Sequence, residues 1–209
     1  MTRTNLVQLL AVAGLVAATV SCGSVAREGR GGSFIVLDSL QGIRGAVTPG
    51  PASPVLLSDV LTNVTSPAPC TQDSPCPTIF NDRGSAVMHI VMKDSGSATP
   101  TTPSSLNDIT LSRYRVEYSR ADGRNTPGVD VPHPFDGIIT QTVTPQQTLV
   151  GFDLVRHQAK EEAPLVQLLT NGRIITGLAK VTFWGRDQAG NEVSAEGNIQ
   201  INFGNFGDF

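Results

Sequence analysis

The chain has 209 residues, 15 of them basic and 18 acidic, for a net charge of −3 at neutral pH. That mild balance excludes the electrostatic footprint of a nucleic-acid binder and a polybasic membrane patch. Twenty-one glycines and 14 prolines point to many turns and little helix, and no composition break in the middle divides the chain.

The N-terminus comes first. Arg3 supplies a positive n-region, an apolar run extends from about Leu6 to Val20, and the small residues Thr19, Val20 and Ser21 lead to Cys22. This is the layout of a secretory signal. The tetrad Thr19 to Cys22 resembles the lipobox of bacterial lipoproteins. The resemblance implies that residues 1–21 are removed and that the Cys22 thiol carries a diacylglycerol. It also implies that the new amino group is acylated, typically by palmitate, so that the protein sits on a membrane of the cell envelope. Anchoring on two or more acyl chains is stable. Gly23 follows Cys22 in place of the Asp that retains some lipoproteins at the inner membrane, which favours an outer-membrane or surface destination where there are two membranes. A cleaved signal with an incidental cysteine and a retained anchor helix are the other readings. The apolar run of 15 residues falls short of the roughly 20 a spanning helix needs. Residues 22–33, polar and Gly-rich without periodicity, read as a flexible tether, and residues 34–209 as one folded domain.

Strands then follow at turn-delimited spacing: Phe34 to Leu40, Val55 to Val64, and Ser85 to Lys93, where Ala86, Met88, Ile90 and Met92 share a face. Between them, Cys70 and Cys76 stand with five residues separating them in a Pro-rich stretch. With Cys22 lipidated the remaining count is even, and an exported chain meets an oxidising compartment, so a Cys70–Cys76 disulfide that rigidifies a surface hairpin is expected. In Ile109 to Arg120, Tyr114, Val116 and Tyr118 alternate with Arg113, Arg115 and Glu117, the period-2 signature of a half-buried strand. A long loop, Arg124 to Asp136, leads to strands at Gly137 to Val143 and Gln147 to Arg156. Leu165, Leu168 and Leu169 fall at i, i+3 and i+4 behind Pro164 and ahead of Asn171-Gly172, which predicts one short helix over Glu162 to Thr170. Arg173 to Arg186 and Glu192 to Phe203 form a hairpin around Asp187 to Asn191, in which Gly190 takes the left-handed position and Asp187 bonds its own turn.

About seven to nine strands and one short helix predict an all-β, antiparallel sandwich. The run Val181 to Val193, with Asp187-Gln-Ala-Gly-Asn191 at its centre, resembles the last hairpin of bacterial immunoglobulin-like domains. Tyr114 to Tyr118 with Asp122-Gly123 is similar to the central strand and turn of fibronectin type III modules. Both likenesses imply an immunoglobulin-like fold, and the pattern as a whole resembles bacterial lipoproteins that end in a similar hairpin.

Chemistry is sparse. His89 stands on a strand with Val87 and Val91, His133 lies between two prolines, and His157 follows a strand end; none has the spacing of a metal site or a triad. No catalytic residue, metal or cofactor is therefore expected. Asp187 with Asn191 and Asp130 with Asp136 are too few oxygens for a calcium cage and read as turn-bonding groups. Trp184 lies on the parity of Lys180, Thr182 and Arg186 rather than with Val181 and Phe183, so it faces outward, either beneath the predicted helix or open to a sugar or partner. The Arg124 to Asp136 loop is long enough to be functional, with Arg124, Asp130 and Phe135 as candidate contacts. The expectation is a non-enzymatic, lipid-anchored binding or structural module that meets an envelope protein or glycan. A carbohydrate-binding or adhesion domain ranks second and an envelope hydrolase third.

Overall fold

The computed structural model describes residues 31–207. Cys22, the signal region and most of the predicted tether lie outside them. The described chain is mostly strand: β1 Ser33–Ile43, β2 Val55–Asp59, β3 Thr62–Val64, β4 Cys76–Thr78, β5 Asp82–Met92, β6 Ile109–Ser119, β7 Phe135–Val143, β8 Thr148–Val155, β9 Ile175–Asp187 and β10 Glu192–Gly204. Two short helices, α1 His157–Glu161 and α2 Leu168–Asn171, lie between β8 and β9.

Three strands in the order β1-β5-β8 form one sheet, and five in the order β2-β10-β9-β6-β7 form the other; β3 and β4 make a separate hairpin. The sheets pack face to face because each strand alternates apolar and polar side chains, so that one face of each must leave water. Ala86, Met88, Val150, Phe152 and Leu154 from the smaller sheet meet Tyr114, Val116, Val181, Phe183 and Ile201 from the larger in one buried cluster. Phe152 stands edge-on to Phe183 at 5.2 Å and to Tyr114 at 5.3 Å. Glycine makes room for this aromatic centre: a Cβ on Gly84 would fall 2.1 Å from the Phe152 ring, and one on Gly137 2.2 Å from that of Tyr114. The two tyrosines also tie the sheets together by hydrogen bonds. Tyr118 donates to the Leu154 carbonyl at 2.7 Å, and the Asp153 N–H donates to the Tyr114 hydroxyl at 3.2 Å.

Several sequence expectations change. The pairing is antiparallel except for β2, which runs parallel to β10. The chain leaves β1 in one sheet and enters β2 in the other, and strands this distant in sequence need no tight turn between them. The single strand expected over Val55 to Val64 breaks after Asp59, whose carboxylate accepts the Leu61 N–H at 3.4 Å and turns the chain into β3. β5 begins three residues earlier than the alternation suggested, at Asp82, and β7 two residues earlier, at Phe135. The expected helix is a 3-10 turn, Leu165–Gln167, continued by α2, and α1 was not anticipated. The leucine triad nevertheless packs inward: Leu165 and Leu168 are buried, Leu169 packs against the core, and Gly172, at φ 59°, ends the helix. The turn at 187–191 matches its reading, with the Asn191 N–H donating to Asp187 Oδ1 at 2.8 Å and Gly190 at φ 83°.

β6 contains a further departure. Ile109 and Leu111 are buried on odd positions, whereas Tyr114, Val116 and Tyr118 are buried on even ones. A β-bulge at Ser112 switches the parity: Leu111 pairs with Gly185 and Arg113 with Trp184, leaving Ser112 as the extra residue. Both Ser112 and Arg113 thereby face solvent.

Candidate functional site

The bulge builds a site on the outer face of the five-stranded sheet. Ile138, Arg113, Trp184 and Ser194 are successive cross-strand neighbours on β7, β6, β9 and β10. The Arg113 guanidinium lies 4.2 Å from the centre of the Trp184 ring. Stacking on an indole stabilises a cation electrostatically without neutralising it, by about 0.5–1 kcal/mol where exposed. Arg113 makes no ion pair among the described residues. In the next row Arg186 pairs with Glu192 at 2.5 Å. Arg113, Trp184, Arg186, Glu192 and Ser194, with Thr110 and Ser112, line an open depression of about 600 Å³.

Trp184 therefore faces outward, as its parity required, and half-buried. Its neighbour is not the one expected: no residue from Glu162 to Thr170 lines the depression, and Arg113 covers the indole instead.

The Arg124 to Asp136 loop does not bring its three candidates together. Arg124 is exposed and bonded to Asp122 at 2.8 Å. This guanidinium, followed by lesser contributions from Arg120, holds the Asp122 carboxyl down at about 2. Asp130 accepts the Thr126 N–H at 3.2 Å, closing the loop on itself. Phe135 is not a surface contact at all. It opens β7 at an inward position, edge-on to Tyr114 at 6.2 Å, with the Arg156 guanidinium 3.8 Å over its ring.

Cys70 and Cys76 form a disulfide. It closes the segment between β3 and β4, whose ladder runs from Thr62 opposite Thr78 to Val64 opposite Cys76. The histidines lie on separate elements. His89 Nδ1 is 2.9 Å from Asp38, His157 bonds Asn81 at 3.0 Å, and His133 sits on the loop before β7. Asp136 pairs with Arg115 at 2.8 Å, and Asp187 is engaged by its own turn. No three metal-ligating side chains converge among the described residues.

Sequence reasoning missed a buried polar network at one end of the sandwich. Asp82, at the start of β5, accepts the Ser58 hydroxyl at 2.6 Å and the Gly45 N–H at 2.8 Å, and the Lys160 ammonium of α1 lies 2.9 Å away. Asp82 and Lys160 are 0% and 1% exposed. Burial pushes the Asp82 carboxyl above its ordinary value, against the opposing pull of Lys160, Ser58 and Gly45. A hydroxyl, a carboxylate and an amine are grouped here, but Ser58 is sealed and donates its hydrogen bond to Asp82, so this group is closed to solvent. The network joins β2 of one sheet, β5 of the other and α1. The signal was present in the sequence: Asp82 and Gly84 continue the inward parity of Ala86, Met88 and Ile90. Beside it Asp59, also buried, pairs with Arg44 and accepts the Phe206 N–H at 3.1 Å, which fastens the C-terminal segment.

Comparisons with protein-family models, with curated proteins and with solved structures find no match to this chain.

Proposed function

We propose that this chain is an exported, lipid-anchored protein of the cell envelope whose immunoglobulin-like β-sandwich acts as a non-catalytic binding or structural module. The observation that carries the binding role is the bulged outer face, where an exposed arginine with no carboxylate partner among the described residues stacks on an outward tryptophan at an open depression. A bulge re-aims side chains, and here it does so on the face that contributes nothing to the core. Export is supported by the Cys70–Cys76 disulfide, since such bonds persist in oxidising compartments. Anchoring rests on the lipobox-like Thr19 to Cys22. The immunoglobulin-like reading draws on the two packed sheets and the β9–β10 hairpin with its Asp187 turn. Against a hydrolase stands the enclosure of Ser58, Asp82 and Lys160 within the fold.

The anchor is tested by fractionation. The protein as expressed is expected in the membrane fraction and the Cys22→Ala protein in the soluble envelope fraction. A Cys22→Ala protein that stays with membranes contradicts the lipid anchor.

A further inference from the structure

The outer face of the five-stranded sheet divides by charge. Away from the bulge its cations are neutralised: Arg115 meets Asp136 at 2.8 Å and Glu117 at 3.1 Å, and Lys180 meets Glu196 at 3.1 Å. At the bulge Arg186 is matched by Glu192, and among the described residues Arg113 has an aromatic ring in place of an anion. The depression thus holds one surplus positive charge within a chain of net charge −3.

A guanidinium held over an indole by its cationic centre still carries N–H donors, and these match a carboxylate in a bidentate fork. On the other side of Arg113 from Trp184, Ile138 is 92% exposed, so the cation is flanked across the strands by an apolar and an aromatic side chain. Thr110, Ser112 and Ser194 line the same depression; the Thr110 hydroxyl is shared with Thr142 at 3.3 Å and Ser112 donates to the Trp184 carbonyl at 3.4 Å. The depression is open and runs across β6, β9 and β10, which suits a polymer laid across the strands better than a small molecule that needs enclosure. One surplus cation is too little to hold an anionic membrane, which recruits clusters of four to eight basic residues. A single directional ion pair beside a stacking surface is enough to select a charged sugar unit.

We infer that this face binds an acidic polysaccharide, a chain of carboxylate-bearing sugars, with Arg113 taking the carboxylate and Trp184 and Ile138, on either side of it, giving apolar contact to successive sugar units. The inference rests on the binding-module reading and adds the ligand class.

Trp184 is the chain's single tryptophan, so its fluorescence reports on this site alone. The full chain in neutral detergent is titrated with an oligogalacturonate. A saturable shift is expected, weakened by salt, with the carboxyl-reduced oligosaccharide bound at least about tenfold less tightly. Arg113→Ala is expected to weaken binding by about 10- to 100-fold, the scale of a charge-assisted hydrogen bond. Arg113→Lys loses nearly as much because an ammonium lacks the fork. Lys180→Ala, on the same face, leaves binding unchanged, and unaltered circular dichroism of each variant establishes that it is folded. Indifference to Arg113→Ala, or no response to the acidic oligomer, overturns the inference. So does an equal Arg113-dependent response to inorganic phosphate or to phosphatidylglycerol vesicles. A stronger response to the carboxyl-reduced chain overturns the acidic class and leaves the binding-module reading standing.

Discussion

Lys160 and Arg113 are both cations carried by elements of the sandwich, yet they stand in opposite circumstances. Lys160 is 1% exposed and meets Asp82 at 2.9 Å; Arg113 is exposed and, among the described residues, meets an indole and no carboxylate. Taking an ammonium out of water is costly, and the structure offsets that cost with a carboxylate that is itself bonded to Ser58 and Gly45. Arg113 keeps its hydration and needs no partner. The buried charge belongs to the architecture, and the exposed one is available to something outside the chain.

The largest effect is expected where that contrast is broken at the buried end. Lys160→Met leaves Asp82 enclosed without its cation and is expected to cost about 3–5 kcal/mol by urea unfolding. The double variant Asp82→Leu/Lys160→Met is expected to recover part of the loss, since no charge is then buried alone, the remainder being the cost of leaving the Ser58 hydroxyl and the Gly45 N–H without their acceptor. A pH dependence follows. Burial already raises the Asp82 carboxyl, and removing Lys160 takes away the first of the influences that lower it. A folded pKa above the unfolded one gives stability that is present in acid and lost as pH rises through it. Lys160→Met is therefore expected to gain stability as pH falls below neutrality, until other carboxylates protonate. A flat profile contradicts the assignment.

A smaller effect is expected where the sheets are joined. Tyr118→Phe keeps the ring and strands the buried Leu154 carbonyl, at a cost of about 1–2 kcal/mol. The smallest is expected at the surface. Arg113→Ala removes an exposed stacking contact and is expected to change stability by less than about 1 kcal/mol, despite its effect on binding. A loss as large as that of Lys160→Met would return Arg113 to the architecture.

What the sequence disclosed follows from which forces act locally. Alternation located the strands of both sheets, and Asp187 with Gly190 identified the last turn, because strand parity and turn geometry are set by neighbours in sequence. Trp184 was placed outward for the same reason. Its partner was not foreseen, because Arg113 meets it only after the Ser112 bulge, and β6 reads as regular alternation from Tyr114 onward. The Asp82 network escaped because Lys160 sits in the polar stretch after β8, which looks solvated until α1 folds it back onto β5. Phe135 was assigned to a loop because the prolines at 132 and 134 mask the start of β7. In each case the missing information was a contact between residues distant in sequence.

Hydrogen exchange of the full chain with and without oligogalacturonate tests the central claim most directly. Added protection is expected in β6 around residues 110–113 and along the β9–β10 segment 184–194, with none at Asp82, in α1 or in the 124–134 loop. Protection concentrated in that loop or in the disulfide hairpin, with the bulged face unchanged, would contradict the account.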